Sequence, residues 1–338
     1  TLKELKKRNF ELICYSTKDR KDDFARSFRS VFLKWNSVED KSDEEFVKLI
    51  FEDKIHILID VQGHSANNRL AIFIYKAAPI QISWGAQGST GINEMDYFIG
   101  TPIIIPKEEE ENYVEKILRL PDVTHCYTEP DFDVEIKPLP YIKNKFITFG
   151  CVNKSVKIND TVIDLWSKIL SSTPSSKILL KNKDFDDKKI FENFLLKFEK
   201  KNINRNRVIL QGESKTRKEL LEVYNSIDIG LDPFPFQGNT STCEAVWMGV
   251  PVLTLKGNRY LFHFGENINF NLNMPDWTAK NYQEYIDKAV NFSVNVSDLS
   301  KIRMSLRQKA LKSPLFDTNK FVINFSNTLW KVWRDYDA

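Results

Sequence analysis

Short apolar runs alternate with stretches whose apolar residues recur every three or four positions, and the alternation runs through the chain twice. Runs of the first kind are expected to form buried strands, and stretches of the second kind amphipathic helices. Residues 1–8 predict a helix and 10–15 a strand. Ser42-x-x-Glu45 has the form of a capping box that opens a helix over 42–52, which leads into a strand over 55–61. Residues 80–84 and 97–100 read as further strands. Between Pro121 and Pro140 prolines are interleaved with acids, the composition of a connection between domains. The second series follows, with strands over 146–151, 177–181, 207–210 and 227–231 and helices over 160–171, 188–200 and 216–225. Helices near 282–291, 297–311 and 319–333 finish the chain. Such alternation builds parallel sheets covered on both faces, so the expected class is α/β with two domains, 1–140 and 141–338.

A chain of 338 residues is long enough for two separate cores. Its 49 basic and 46 acidic residues leave a net charge of only +3, which argues against nucleic acid or a membrane surface as partner. The lysine-rich stretches 3–7, 181–189 and 197–201 are mixed with acids and read as solvated faces. Cys14, Cys126, Cys151 and Cys243 are scattered without a C-x-x-C pair, a pattern that fits reduced thiols in a cytoplasmic protein. No apolar run approaches about 18 residues, the length of a membrane span, and no signal peptide is visible. The first residue is Thr1 rather than Met, so a preceding segment is expected in the complete protein.

The candidate chemistry gathers in Gln237-Gly238-Asn239-Thr240-Ser241-Thr242-Cys243-Glu244, which follows the apolar run 227–232 and a Pro-Phe-Pro turn. A glycine and a row of hydroxyl residues open a short helix over 242–248, and Gly249-Val250-Pro251 ends it before a strand over 252–255. Free N–H groups at a helix start, flanked by Thr and Ser hydroxyls, suit phosphate. Glu244 sits where a carboxylate would take the two hydroxyls of a ribose. Local physics alone fits an ordinary βαβ crossover with a hydroxyl cap equally well.

The segment resembles the catalytic region of the protein O-GlcNAc transferases and their Spindly-like relatives, glycosyltransferase family 41. The likeness continues, in family order, through Asp60-Val61-Gln62-Gly63-His64-Ser65-Ala66-Asn67-Asn68-Arg69-Leu70, Ala78-Pro79-Ile80-Gln81-Ile82-Ser83-Trp84, Gly88-Ser89-Thr90-Gly91 and Met95-Asp96-Tyr97. It resumes at Phe149-Gly150-Cys151-Val152-Asn153-Lys154-Ser155-Val156-Lys157-Ile158 and at Ser313-Pro314-Leu315-Phe316-Asp317.

The resemblance implies a GT-B fold of two Rossmann-like domains facing across a cleft. It also implies an inverting, metal-independent transfer of GlcNAc from UDP-GlcNAc to Ser or Thr hydroxyls of proteins, with no cofactor beyond the donor. Lys157 matches the family's phosphate-binding lysine, and Asn239, Thr240 and Ser241 match its diphosphate-binding turn. Lys154 stands where animal relatives carry a nucleotide-contacting Gln, and Glu244 where they carry a ribose-binding Asp. His64 takes the place of a cleft residue, in the Gly-His form of bacterial and Spindly-like members.

The chain departs from the family at Leu220 and His263, where relatives carry a His near the base and an Arg. A Spindly-like O-fucosyltransferase using GDP-fucose, and a non-catalytic nucleotide-sugar or peptide-binding remnant, therefore stand as alternatives. The family also places a strand and a His-bearing loop before the first helix seen here. The first sheet is thus expected to have an unpaired edge or gap, with that strand, and tetratricopeptide repeats, upstream in the complete protein.

The remaining candidates are weaker. Arg69 suits a structural role as well as a functional one, and His56, inside the predicted strand, reads as a core histidine. His125 falls in the connection. Asp131-Phe132-Asp133 has the letters of a D-x-D metal motif but lies in that same connection rather than after an apolar strand, so no metal site is expected.

Overall fold

A computed structural model describes residues 1–18, 23–85 and 87–338. The chain forms two compact units, Thr1–Cys126 with Asp317–Ala338, and Tyr127–Phe316. This differs from the division expected at residue 140. The chain leaves the first unit before the Pro-rich stretch has run its course, and its last helix belongs to the first unit rather than the second.

The first unit opens with α1 (Leu2–Lys6), β1 (Ile13–Ser16), α2 (Asp23–Arg29), β2 (Lys34–Ser37) and α3 (Asp43–Glu52). Strands β3 (Ile57–Asp60), β4 (Ile80–Ser83), β5 (Tyr97–Gly100) and β6 (Lys116–Arg119) follow. The predicted capping box starts α3: Glu45 N–H donates to Ser42 Oγ at 3.2 Å, and Ser42 N–H to the Glu45 carboxylate at 2.8 Å. Phe46, Val47 and Ile50 of this helix pack with Leu58 and with Leu70, Ile72 and Phe73 of a 3₁₀ turn.

All strand pairs in this unit are parallel, and they fall into two sheets, β1-β2 and β3-β4-β5-β6. Among the described residues β1 pairs only with β2, and β3 only with β4.

The second unit contains α4 (Pro140–Asn144), β7 (Thr148–Val152), α5 (Asp160–Ser172), β8 (Lys177–Lys181), α6 (Lys188–Glu199) and β9 (Val208–Gln211). It continues with α7 (Arg217–Glu222), β10 (Ile229–Leu231), α8 (Thr240–Trp247), β11 (Val252–Leu255) and α9 (Phe264–Asn271). The short β12 (Thr278–Ala279), α10 (Tyr282–Val294) and α11 (Val296–Leu311) complete it. Its strands form one parallel sheet in the order β12-β11-β10-β7-β8-β9. Counted within the unit this is 3-2-1-4-5-6, the doubly wound order, and its direction reverses between β7 and β10. Strand β7 is buried over Thr148–Cys151, as are all three residues of β10 and all four of β11. Near-continuous apolar strands of this kind are what two covered faces require.

The final helix, α12 (Thr318–Asp337), returns to the first unit. Phe321 and Phe325 pack against the indole of Trp84 with ring centroids 6.2 and 4.7 Å away, and Trp330 meets Phe10 at 5.4 Å.

Candidate functional site

In an open parallel sheet the loops leaving two neighbouring strands separate where the winding reverses, and a crevice opens at their carboxyl ends. In the second unit that point lies between β7 and β10. The loop after β7 carries Asn153, Lys154 and Lys157, and the loop after β10 runs from Asp232 to α8. A small open crevice lies there, with Cys151, Asn153, Tyr224, Asp232, Ser241 and Thr242 in its wall.

Lys157 ends a 3₁₀ turn over Ser155–Lys157. Its ammonium donates to the Gln237 carbonyl at 2.9 Å and sits 3.9 Å from the centre of the Phe236 ring. Burial pulls the amine below its ordinary pKa, and Lys154 pulls the same way; the negative charge of Asp232 and the Cys151 thiol pull upward. Lys154 itself is exposed and caps the turn.

Six residues of α8, Thr242 to Trp247, are buried, so the helix is anchored by its body and its start is left available. Asn239 stands at the N-cap without a side-chain capping bond, whereas Ser42, Asn159, Asp187, Thr216 and Asn281 each cap their own helices. The first N–H groups of a helix have no partner within it. The helix dipole adds partial positive charge at the same place. Thr240 is exposed and Ser241 half-buried; the Ser241 carbonyl accepts from the Tyr224 hydroxyl at 2.9 Å.

Gly238 explains why the turn needs a glycine. A Cβ there would lie 2.5 Å from Thr242 Oγ1, 2.6 Å from Ser241 Oγ and 3.0 Å from Asn153 Nδ2. Three polar side-chain atoms, two from the first turn of α8 and one from the loop after β7, thus converge on one backbone position, where a glycine alone avoids a clash.

Glu244 is buried, and burial raises its carboxyl pKa while Arg217 opposes the rise. The Arg217 guanidinium lies 3.6 Å from its Oε1 and also donates to the Tyr127 hydroxyl at 3.0 Å. Lys157, Lys154, Asn239, Thr240, Ser241 and Glu244 therefore all lie on the loop after β7, the turn after β10 or α8.

Three contributors were not singled out from the sequence. Asp232 is buried at the end of β10, where it accepts the Gly238 N–H at 2.8 Å and the Thr254 hydroxyl at 3.0 Å. Gln237 is buried, donates to the Leu255 carbonyl at 2.5 Å and accepts the Gly265 N–H at 2.7 Å. Arg217 is the third. The available signal was an Asp closing an otherwise apolar strand, because a buried carboxylate there must find donors.

His64 belongs to the first unit. It is exposed in the loop after β3, its N–H donates to Gln87 Oε1 at 2.9 Å, and its Nε2 lies 2.8 Å from the Ser89 carbonyl oxygen. A carbonyl only accepts, so Nε2 carries the proton and Nδ1 keeps the lone pair. Buried Glu115 holds the loop that supplies this carbonyl, accepting the Ser89 hydroxyl at 2.7 Å and the Thr90 N–H at 2.6 Å.

Arg69 is structural: it pairs with Asp43 and donates to the Val38 and Lys41 carbonyls. His56 is a correction. It precedes β3 rather than lying inside it, is exposed, and meets the edge of Trp333 at 4.7 Å. Asp131 and Asp133 are exposed on either side of Phe132, and no metal-binding cluster of His, Cys, Asp and Glu occurs among the described residues. Nor is any helix of the described residues long and apolar enough to cross a membrane.

Comparison with known proteins agrees with this geometry. A probable UDP-N-acetylglucosamine–peptide N-acetylglucosaminyltransferase SPINDLY from Petunia hybrida is 33% identical over 333 residues, covering 97% of this chain and 36% of the relative. The corresponding SEC protein of Arabidopsis thaliana is 28% identical over 343 residues, 96% of this chain and 34% of its own. The chain thus spans about a third of the length of these curated relatives.

Among solved structures, an O-GlcNAc transferase mutant from Thermobaculum terrenum superposes with a TM-score of 0.90 at 29% identity, covering 96% of this chain and 62% of that one. Anabaena HepE, solved with UDP and glucose, shares the fold at 11% identity and a TM-score of 0.59, covering 98% of this chain and 94% of its own. The fold is that of the GT-B glycosyltransferases. The model of Glycosyl transferase family 41 matches residues 2–128 and 138–325, and the chain belongs to that family.

Proposed function

We propose that this chain transfers GlcNAc from UDP-GlcNAc to Ser or Thr hydroxyls of a protein or peptide acceptor, with inversion and without a metal. The observation that carries the reading is the meeting of Lys157 with the uncapped start of α8 where the sheet of the second unit reverses. Departure of a nucleoside diphosphate builds negative charge on the leaving phosphate. A half-buried ammonium and N–H groups that are already oriented meet that charge without reorganising. Lys157, Asn239, Thr240 and Ser241, with Lys154 beside them, would hold the diphosphate. Glu244, oriented by Arg217, would accept from the ribose hydroxyls. His64 would contribute on the acceptor side through Nδ1, since its Nε2 proton is committed to Ser89.

The relatives' names support the GlcNAc donor, and the cytoplasm is the proposed location. A second reading, a Spindly-like O-fucosyltransferase using GDP-fucose, draws on the base end of the site. His263, one of the two departures from the family, is 1% exposed and bonded to Glu266 at 2.9 Å, so it is spent on the fold rather than on a base.

Calorimetry with UDP and GDP, followed by transfer of labelled GlcNAc to a Ser/Thr peptide in EDTA, tests the proposal. Tighter binding of UDP and label on the peptide are expected. Preference for GDP supports the second reading. Transfer that fails in EDTA and returns with manganese would remove metal independence. Binding of the nucleotide sugar without transfer to any acceptor would make the protein a non-catalytic binder.

A further inference from the structure

The Gln237–Gly238 peptide is held at both ends by opposite charges. Its carbonyl oxygen accepts from the Lys157 ammonium at 2.9 Å, and its N–H donates to Asp232 Oδ1 at 2.8 Å. The other carboxylate oxygen accepts the Thr254 hydroxyl at 3.0 Å, so the acid cannot turn away. Asp232 is 2% exposed, and its backbone carbonyl accepts the Tyr285 hydroxyl at 3.3 Å. The peptide itself is crowded: Gly238 leaves no room for a side chain among Thr242, Ser241 and Asn153. A fixed peptide between a buried carboxylate and an ammonium is polarised by both, and charge-assisted hydrogen bonds are the stronger kind.

We infer that Asp232 is a positioning residue for the diphosphate site, acting on Lys157 through the Gln237–Gly238 peptide and orienting the turn that opens α8. The inference rests on the nucleotide-diphosphate reading above. Burial pulls the Lys157 amine below its ordinary pKa, and the charge of this acid opposes that pull. The groups facing the pair are few. Asp232 faces Lys157, the Cys151 thiol on β7, Thr254 on β11 and the Tyr285 phenol on α10; Lys157 also feels Lys154. Asp232 is the carboxylate among them, so once ionised it supports the cationic state of Lys157. Burial raises the Asp232 carboxyl to about 7, against the opposing pull of the Gly238 N–H, Lys157 and Thr254.

Two variants separate charge from shape. Asp232→Asn keeps an oxygen for the Gly238 N–H and can donate to Thr254, so it retains the strut and loses the charge. Asp232→Ala loses both. The Lys157 side-chain carbon next to the amine is followed by ¹³C NMR of lysine-labelled protein, assigned by its disappearance in Lys157→Arg, and titrated without ligand. In Asp232→Asn the midpoint of Lys157 is expected to fall by about one pH unit. UDP affinity measured by calorimetry should then weaken more at alkaline than at mildly acid pH. Asp232→Ala should lose roughly tenfold or more at both, since the turn is loosened as well.

A merely structural acid would weaken binding by the same factor at every pH and leave the lysine titration unmoved. Superimposable Lys157 titrations in wild type and Asp232→Asn would overturn the inference, as would wild-type UDP affinity in Asp232→Ala. Should the wild-type protein bind neither UDP nor GDP, the nucleotide reading falls, while the ligand-free titration still decides whether Asp232 governs Lys157.

Discussion

The two units carry their candidate residues in different ways. In the second, one continuous six-stranded sheet brings Lys157 and α8 to its reversal point, with half-buried and buried partners on every side. In the first, the strands form a pair and a separate group of four, and His64 stands exposed on a loop, tied by one ring nitrogen to a carbonyl. A site for a diphosphate has to be built in advance, because oriented N–H groups and a partly desolvated cation act only if their geometry is already paid for by the fold. A group that moves one proton needs only a defined tautomer and access to solvent. On the proposed function, the contrast makes donor binding and transfer separable.

The largest test of that separation is Lys157→Ala. It should cost roughly 2–4 kcal/mol in transition-state stabilisation and weaken UDP binding sharply, read by calorimetry and by transfer to a peptide. Unchanged affinity for UDP and GDP alike would take Lys157 out of the site. Next comes Glu244→Ala, which removes a buried acceptor from the proposed ribose position. A loss of about 1.5–3 kcal/mol in nucleotide affinity is expected, with little change in affinity for inorganic pyrophosphate; equal losses for both ligands would place Glu244 in the fold rather than at the ribose.

A third test uses pH, and the two units should respond with opposite signs. In the first unit burial depresses His125 to about 4, beside Trp84 at 5.9 Å between ring centres. Its folded form binds the proton less readily than the unfolded chain does. Its stabilising contribution is therefore present above about pH 6.5 and lost as pH falls through 4, by up to about 3 kcal/mol. In the second unit burial raises Asp228 to about 6, although the Thr148 and Tyr141 N–H groups and Arg303 oppose the rise. Here the contribution is full below about pH 4, the ordinary carboxyl range, and is lost as pH climbs through 6. Urea unfolding across pH 4 to 8 should show a shallower acid limb in His125→Phe and a shallower rise-of-pH loss in Asp228→Asn. Parallel curves for either variant and wild type would remove that group from the balance.

The smallest effect belongs to His64→Ala. UDP affinity should change by less than about 0.5 kcal/mol, the usual size for a surface substitution, while transfer to a peptide falls. Loss of UDP binding in that variant would contradict the assignment of donor binding to the second unit.

Much of the second unit was legible because its signals are local. The strands Lys177–Lys181 and Val252–Leu255 fall where the apolar runs put them; in the first unit, the Ser42–Glu45 box likewise opens α3 as written. The elements that escaped have weak local patterns. Strand β6 is four residues, Lys-Ile-Leu-Arg, behind a run of glutamates, and α9 is rich in asparagine without a clear apolar stripe. The turn Asn239–Ser241 and Lys157 could be matched by motif. The partners that hold them, Asp232 and Gln237, act through contacts up to 80 residues apart in sequence, which no local pattern records. The destination of α12 was illegible for a similar reason, since an amphipathic stripe announces that a helix packs without saying on which sheet.

That destination changes how the chain can be cut. Because Phe321 and Phe325 lie against Trp84, the last twenty-odd residues complete the core of the unit that contains the first residue. Tyr127 N–H donates to the Leu315 carbonyl at 2.8 Å, so the segment from 127 to 316 begins and ends at neighbouring points, as an inserted module does. A premature stop or a trimmed carboxyl terminus would consequently spare the crevice between Lys157 and α8 and injure the opposite end of the sequence.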